Sequence, residues 1–459
     1  MIMTTEQWQK DILDNGELYC VGGDVRDELF GVRNIDVDVD YLVRGIPPEN
    51  LEKILKKHGR VAFVGRSFGV YKFKPPGEPK EIDIAYPRRE VSTGPGHTDF
   101  EVDWDWQIPV EDDLGRRDFT INSIAKNVAD GQLVDPYDGR GDIDKRVLRM
   151  VFAGTFLEDP LRILRGVRFA ARFSLEIDPA TYQSMIDAAY LVDTLSAERI
   201  QEEFTKLFKQ CDRPSGALNT LQDIGALEHL IPELSRSHGV EQNEFHPDDV
   251  YWHSLKSLDA APKERLVARW AALLHDLGKV DKKKTVDDGI GGEKVVFYGH
   301  EKESGEIAER VLDRLRYGRD FVKTCVHLVE SHMFLYLDEW NQGTVRRFIQ
   351  RIGKKNLDDL YALRAADCLS RGKTDEIERL EALKKRVAAE IEEADAFKIS
   401  DLAIDGGDVI RELGMEPGPE VGRILGELLE EVLDDPSLNT RERLVERLKG
   451  RFGAGGPGR

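Results

Sequence analysis

The stretch Val21-Gly22-Gly23-Asp24-Val25-Arg26-Asp27, followed after Gly31 by Asp36-Val37-Asp38, combines a glycine pair, an arginine and two carboxylates one residue apart. Glycines after an apolar run let a backbone approach a triphosphate, and Arg26 can donate to its oxygens. In a β-type run the i, i+2 spacing turns Asp36 and Asp38 to one face. Two converging carboxylates suit Mg²⁺, with water and phosphate oxygens completing the octahedron, and such an ion assists in-line displacement at phosphorus. Asp83, within Glu81-Ile82-Asp83-Ile84-Ala85, is a candidate third carboxylate on a neighbouring strand. Asp40 continues the alternation further along and is left outside the expected set. A lone Asp-x-Asp is more often a solvent-facing edge; the ordered combination with Gly22, Gly23 and Arg26 favours the metal reading.

Further on, Arg117 can neutralise phosphate charge, while Asp118 and Asn122 can bond ribose hydroxyls. In Glu158-Asp159-Pro160-Leu161-Arg162-Ile163-Leu164-Arg165-Gly166-Val167-Arg168, the polar residues Asp159, Arg162, Arg165 and Arg168 recur every three positions. That spacing predicts one shared helical face, with Ile163, Leu164 and Val167 packed behind it. Asp159 beside Arg162 sets an acceptor next to a donor. Cytosine and adenine show an amine beside a ring-nitrogen acceptor, whereas uracil and guanine show a carbonyl there. A fixed Asp/Arg pair can therefore read C or A without a template strand, with discrimination of roughly 1–3 kcal/mol.

A second group lies in the other half. His253, the adjacent pair His275-Asp276, then His300, His332 and Asp367 supply imidazoles and carboxylates from successive helical segments. Such a set can hold a divalent metal that activates water for phosphoester hydrolysis. A single helical histidine is more often structural.

The elements that must position these groups divide the chain. Short β-type runs at Leu18-Tyr19-Cys20-Val21, 37–43, 61–64, 70–73 and 82–85, with a helix over 48–58, predict a unit around one small sheet. From Leu157 onward helical periodicity takes over, with one strand-like exception at 293–298. Asp287 to Gly292 and Asp405-Gly406-Gly407 read as loops, and Gly453 to Gly458 as a frayed end. Asp99 to Asp113 carries seven acidic residues and no lysine or arginine, which predicts a solvated loop.

The net charge of −20 over 459 residues excludes a general basic footprint, so any nucleic-acid contact must come from a local positive groove. The longest apolar runs fall far short of the roughly 20 residues of a membrane span. Met1 to Glu6 lacks a basic segment leading into an apolar one, and the four cysteines show no CxxC spacing, so a cytoplasmic protein with no membrane contact is expected.

The head motifs resemble the nucleotidyltransferase superfamily. Glu111 to Ala125, containing Arg116-Arg117-Asp118-Phe119-Thr120-Ile121-Asn122, and Leu133-Val134-Asp135-Pro136-Tyr137-Asp138-Gly139 are similar to signatures of tRNA nucleotidyltransferases and bacterial poly(A) polymerases. Glu158 to Arg172 resembles the templating helix of CCA-adding enzymes, and Ser196 to Ile200 with Glu203 the neck motif after it. His275-Asp276-Leu277-Gly278-Lys279 and Arg364-Ala365-Ala366-Asp367 resemble the HD phosphohydrolase superfamily, which is fused to that core in many bacterial enzymes.

The resemblance implies an α+β fold: a mixed-sheet head over 1–145 and a helical neck over 146–235, then an HD-type body over 236–372 and a helical tail over 373–459. It implies Asp36, Asp38 and Asp83 as the catalytic carboxylates, with Mg²⁺ on Asp36 and Asp38. Gly22, Gly23, Arg26, Arg117, Asp118, Asp159, Arg162, Arg165 and Arg168 would bind the nucleotide. A divalent metal of unspecified identity would sit at the HD site. The partners would be tRNA, CTP and ATP. The alternatives are a poly(A) polymerase, a CC- or A-only enzyme, or chiefly an HD phosphohydrolase. In the family a flexible loop between Asp83 and Glu111, here containing Gly94-Pro95-Gly96-His97, is linked to switching from C to A; its retained length favours the full CCA reading.

Overall fold

The computed structural model describes residues 6–32, 39–64, 69–77, 80–92, 100–242, 247–287, 292–334, 336–337, 339–393 and 397–453. Asp36, Asp38 and Gly94 to His97 therefore lie outside the described residues, as do the glycines after Gly453. The chain forms two compact units, 1–235 and 236–459, and the fold is α+β.

The first unit is built on strands β1 (Glu17–Val21), β2 (Asp40–Arg44), β3 (Arg60–Val64), β4 (Val70–Lys74), β5 (Ile82–Ala85), β6 (Arg88–Ser92), β7 (Phe100–Trp104), β8 (Ala125–Asn127) and β9 (Leu133–Val134). One seven-stranded sheet runs β3-β4-β5-β2-β1-β8-β9, and β6 with β7 forms a separate antiparallel hairpin. The main sheet is mixed because β2 and β5 run parallel, which brings Asp40 opposite Asp83. Period-two alternation sorts the side chains onto two faces. Leu18, Val43, Phe73 and Ile84 join Trp8, Ile12 and Leu51 on one, while Tyr19, Val21 and Leu42 meet Val110 and Leu114 on the other. The helix Pro48–His58 starts on a proline, as its missing N–H allows, and turns Leu51, Ile54 and Leu55 inward.

The acidic stretch is not a solvated loop. Phe100–Trp104 is strand β7, with Arg89 opposite Asp103, and Trp104 stacks on Tyr86 at 5.5 Å. Asp113 is fully buried in the helix Val110–Gly115, between Arg116 at 2.8 Å and Arg117 at 3.0 Å. The arginines that neutralise it stand just past the end of the acidic run, where a count within the run does not reach.

Helices follow at Leu161–Phe173, Pro179–Ala188, Ala197–Gln210 and Ser215–Asp223. The first buries Ile163, Leu164 and Val167 as expected. The expected common polar face is corrected in two ways. Asp159 precedes the helix in extended backbone (φ −142°, ψ 100°). Each step of three residues also falls about 60° short of a full turn, so Arg168 rotates away and pairs with Glu203 of the helix Ala197–Gln210 at 2.7 Å, both side chains buried.

The second unit is helical, with a hairpin of Lys284–Asp287 against Glu293–Val296. Asp405-Gly406-Gly407 is not a loop: Asp405 accepts from Asp408 N and caps the helix Gly406–Leu413, so the glycines form its first turn. Among the described residues no helix is long and apolar enough to cross a membrane.

Candidate active site and metal centre

A cavity of about 400 Å³ in the first unit is lined by Gly22, Gly23, Arg26, Asp40, Arg116, Arg117, Asp118, Asn122, Asp159, Arg162, Arg165 and Arg199, with Leu161 beside them. Six guanidinium groups face three carboxylates, a local excess of positive charge in a chain whose net charge is −20. That is the electrostatics of a polyphosphate site.

Gly22 joins β1 to the helix Gly23–Leu29 with φ +77°, a conformation open to glycine at little cost. A Cβ there would sit 3.5 Å from Arg117 Nη1 and 3.6 Å from Asp40 Oδ2, so the bare backbone belongs to the cavity wall. Arg26 is buried: Nε and Nη2 donate to Asp27 Oδ1 at 2.8 and 2.6 Å, and Nη1 donates to Asn122 Oδ1 at 2.8 Å. Burial pulls this guanidinium down to about 10, with Asp27 opposing. Arg117 is aimed by Asp113 Oδ2 at 3.0 Å and by the Asn122 carbonyl at 3.3 Å.

Asp118 accepts from Arg165 Nε at 2.8 Å, Asn122 Nδ2 at 2.8 Å and its neighbour Phe119 N at 2.9 Å. Burial alone would raise this carboxyl; the charge of Arg165 and the bond from Asn122 overcome it and hold the group at about 2. The segment Asp135 to Gly139 supports this turn from below. Asp135 accepts from Gly139 N at 2.7 Å, and a Cβ on Gly139 would lie 2.2 Å from the Thr120 carbonyl oxygen.

Asp159 and Arg162 both line the cavity, each held by a different partner. Asp159 Oδ2 accepts from Arg199 Nη2 at 2.7 Å and Oδ1 from Leu161 N at 3.1 Å. Arg162 donates Nη2 to the Arg116 carbonyl at 3.0 Å and Nη1 to Glu158 Oε2 at 3.3 Å. Both groups are fixed in orientation before any base arrives.

Neither Arg168 nor Asp83 lines the cavity; Asp83, on the interior strand β5 opposite Asp40, has its carboxylate on Lys72 Nζ at 2.6 Å. Three charged lining residues stand outside the set expected from sequence. Asp40 carries the same i, i+2 alternation as Asp38, Arg116 adjoins Arg117, and Arg199 follows the capping Ser196 in the neck motif.

In the second unit the structure brings all six expected metal-site residues together, all buried. His253 lies in the helix Val250–Ala260; His275 and His332 end the helices Leu266–Leu274 and Arg319–Ser331; His300 begins the helix His300–Arg314; Asp367 lies in Leu357–Ser370. His275, His300 and His332 each donate Nδ1–H to the carbonyl three residues earlier, at 2.9, 2.9 and 2.6 Å. A carbonyl only accepts, so each neutral ring keeps its proton on Nδ1 and presents a bare Nε2. Ser370 Oγ donates to the Asp367 carbonyl at 2.7 Å and thus accepts from His253 Nδ1 at 3.1 Å, which imposes the same tautomer.

Four Nε2 lone pairs then converge on carboxylates. His253 Nε2 and His275 Nε2 stand 3.2 Å apart, acceptor against acceptor, and His300 Nε2 is buried with no hydrogen-bond partner among the described residues. Ligand bonds of about 2.1 Å bring neighbouring donor atoms roughly 3.0–3.4 Å apart, so the residues fit a bound divalent ion. Burial would raise Asp276, but His275 and Lys279 hold it well below the usual carboxylate range. Lys279 Nζ donates to Asp276 Oδ2 at 2.7 Å, and Arg364 and Arg371 clamp Asp367 at 2.7 and 3.0 Å. A cavity of about 650 Å³ opens onto these groups.

Comparison with known proteins follows the same division. Residues 18–149 match the family model of the poly A polymerase head domain and residues 174–237 that of a probable RNA- and SrmB-binding site of polymerase A. Residues 296–448 match that of a putative domain 2 of tRNA nucleotidyltransferase. A multifunctional CCA protein of Herminiimonas arsenicoxydans is 35% identical over 370 residues, 78% of this chain and 84% of its own length. An A-adding tRNA nucleotidyltransferase of Deinococcus radiodurans is 33% identical over 425 residues, 88% of each chain. The Bacillus stearothermophilus CCA-adding enzyme in complex with CTP shares the fold, with a TM-score of 0.71 at 23% identity over 97% of this chain and 95% of that one.

Proposed function

Since the chain belongs to the bacterial tRNA nucleotidyltransferases that share the poly(A) polymerase head domain, we propose that it adds C, C and A to the 3′ end of tRNA. It uses CTP and ATP, releases diphosphate and needs no nucleic-acid template. The observation that carries this reading is the arginine-lined cavity with Asp159 and Arg162 both on its wall, each held in orientation by its own partners. Gly22, Gly23, Arg26 and Arg117 bind the triphosphate, and Asp118 with Asn122 orients the ribose. Asp159 accepts the exocyclic amine of C or A while Arg162 donates to the ring nitrogen, and a carbonyl facing Asp159 is rejected. Arg165 and Arg168 hold the helix that presents Arg162, the first through Asp118 and the second through Glu203.

Asp36 and Asp38, with Asp83 beside Asp40 on the adjoining strand, hold Mg²⁺. The ion, once bound, would assist attack of the tRNA 3′-hydroxyl on the α-phosphorus and stabilise the leaving diphosphate. The work divides along the chain: head over 1–145, neck over 146–235, metal-binding body over 236–372 and tail over 373–459. Neck and tail read tRNA by shape and backbone. Residues His253, His275, Asp276, His300, His332 and Asp367 hold a divalent metal for phosphoester hydrolysis, with Lys279, Arg364 and Arg371 near the cavity to meet phosphate. The protein works in the cytoplasm.

The test is addition to tRNA trimmed of its 3′ end, with each triphosphate supplied singly and together. The Deinococcus relative favours a second reading, addition of A alone. Substrates ending before C, after one C and after two separate the two readings.

A further inference from the structure

A third cavity, of about 630 Å³, lies in the second unit between the helices Leu357–Ser370 and Thr374–Glu393, beside Ala260 and Pro262. None of its described lining residues borders the two cavities above. Its size is that of a small-molecule site. Leu357 and Ala362 of the first helix and Val387, Ala388 and Ile391 of the second give it apolar walls. Tyr361, on the first wall, is 6% exposed, and its hydroxyl is buried with no hydrogen-bond partner among the described residues. Burial and the nearby Asp358 carboxylate push this phenol above its ordinary value, so the oxygen keeps its proton and lacks an acceptor.

Three of the described lining residues are cations. Arg265 is already met by Asp358 and Asp359, each at 3.0 Å, and Lys384 by Glu381 at 2.5 Å. Lys354 meets no carboxylate among the described residues and lies over the Phe397 ring, 4.2 Å from its centre.

We propose that this cavity binds a small amphipathic carboxylate, with its apolar body between the two helices, its charge at Lys354 and an oxygen accepting from Tyr361. A carboxylate only accepts hydrogen bonds, which matches an ammonium and a phenol that both donate. One uncompensated cation suits a monoanion. A nucleoside triphosphate would bring several charges to a rim where Arg265 and Lys384 are already neutralised, and its polar ribose would face apolar walls.

The test is calorimetric titration of the full chain with decanoate and with naphthoate, which carry the same head on an aliphatic and an aromatic body. Saturable binding of one molecule per chain is expected, and the tighter acid identifies the body. The matching alcohols should bind about tenfold more weakly, as loss of a charge-assisted bond predicts. Lys354→Gln should remove that difference between acid and alcohol, and Tyr361→Phe should weaken the acid several-fold at unchanged circular dichroism. Ala388→Trp, an exposed position on the wall, should fill the cavity and abolish binding. Absence of saturable binding by both acids, or binding that Ala388→Trp leaves intact, overturns the proposal. Acid and alcohol binding equally to the wild type overturns the anionic ligand. Displacement of the bound acid by CTP would put it in the nucleotide cavity and overturn the proposal as well.

Discussion

Arg165 donates to Asp118 across 2.7 Å, and this contact is one link of a polar circuit that leaves the helix Leu161–Phe173 and returns to it. Asp118 accepts from Asn122, Asn122 accepts from Arg26, Arg26 donates to Asp27, and Asp27 accepts from Arg172 at 2.8 Å on the same helix. The cavity-lining turn of the head and the helix bearing Arg162 are thereby fixed to each other by hydrogen bonds of charged groups in a largely buried setting. Such bonds are short, directional and expensive to leave half made.

Arg165→Ala leaves Asp118 buried without its cation. The chain should lose about 2–3 kcal/mol of stability in urea unfolding, less than a fully buried pair because the Arg165 side chain is one-third exposed. Loss within a few tenths of a kcal/mol would mean that the circuit contributes nothing to holding helix and head together.

The same carboxylate sets an acid limb. Its folded-state value of about 2 lies below the unfolded one, so its contribution is complete above roughly pH 4 and disappears as the pH falls through the folded value. The depression corresponds to about 2 kcal/mol. Urea midpoints of wild type and Asp118→Asn should therefore differ most near pH 5 and converge toward pH 2. A gap that stays constant over that range would contradict the assignment.

Gly139→Ala tests the support beneath the site. The added Cβ meets a backbone carbonyl oxygen, which cannot rotate out of the way as a side-chain tip can. A cost of about 1–3 kcal/mol is expected, together with a raised KM for nucleoside triphosphates as the turn bearing Asn122 shifts. An unchanged melting temperature would show that the neighbouring strand and turn can move apart freely.

Arg162→Ala should erode the preference for CTP over UTP by roughly 10- to 100-fold, as loss of one bidentate base contact predicts, while tRNA affinity changes little. Arg199→Ala should do the same in weaker form, because it releases Asp159 without removing it. Equal CTP/UTP ratios in all three proteins would remove the templating role from this pair.

Double substitution His275→Ala with Asp276→Ala should abolish metal-dependent phosphoester hydrolysis and leave nucleotide addition intact, since the two sites lie in separate compact units. Nucleotide addition falling in parallel with hydrolysis would argue that the second unit serves the first reaction.

Where the sequence was legible, one periodicity dominated. Strands β3 and β4 alternate cleanly, the helix Pro48–His58 announces its start with proline, and the six clustered histidine and aspartate residues differ in type from the apolar residues around them. Legibility failed where a partner distant in sequence decides the outcome. Strand β7 hides in an acidic run because its pairing partner is β6, and Asp113 is buried only because Arg116 and Arg117 fold back on it. Lys284–Asp287 carries a single apolar residue, Val286, and becomes a strand by pairing with Glu293–Val296. Gly406 and Gly407 read as a break until Asp405 is seen capping them. Asp40, Arg116 and Arg199 enter the cavity through register and helix rotation, which a residue pattern does not display.

The central claim is most directly tested by incubating the purified chain with Mg²⁺, CTP and ATP on tRNA lacking its last three nucleotides and resolving the products one nucleotide at a time. Two cytidylates followed by one adenylate, then arrest, is the predicted outcome. Absence of any labelled cytidylate on that tRNA would contradict it.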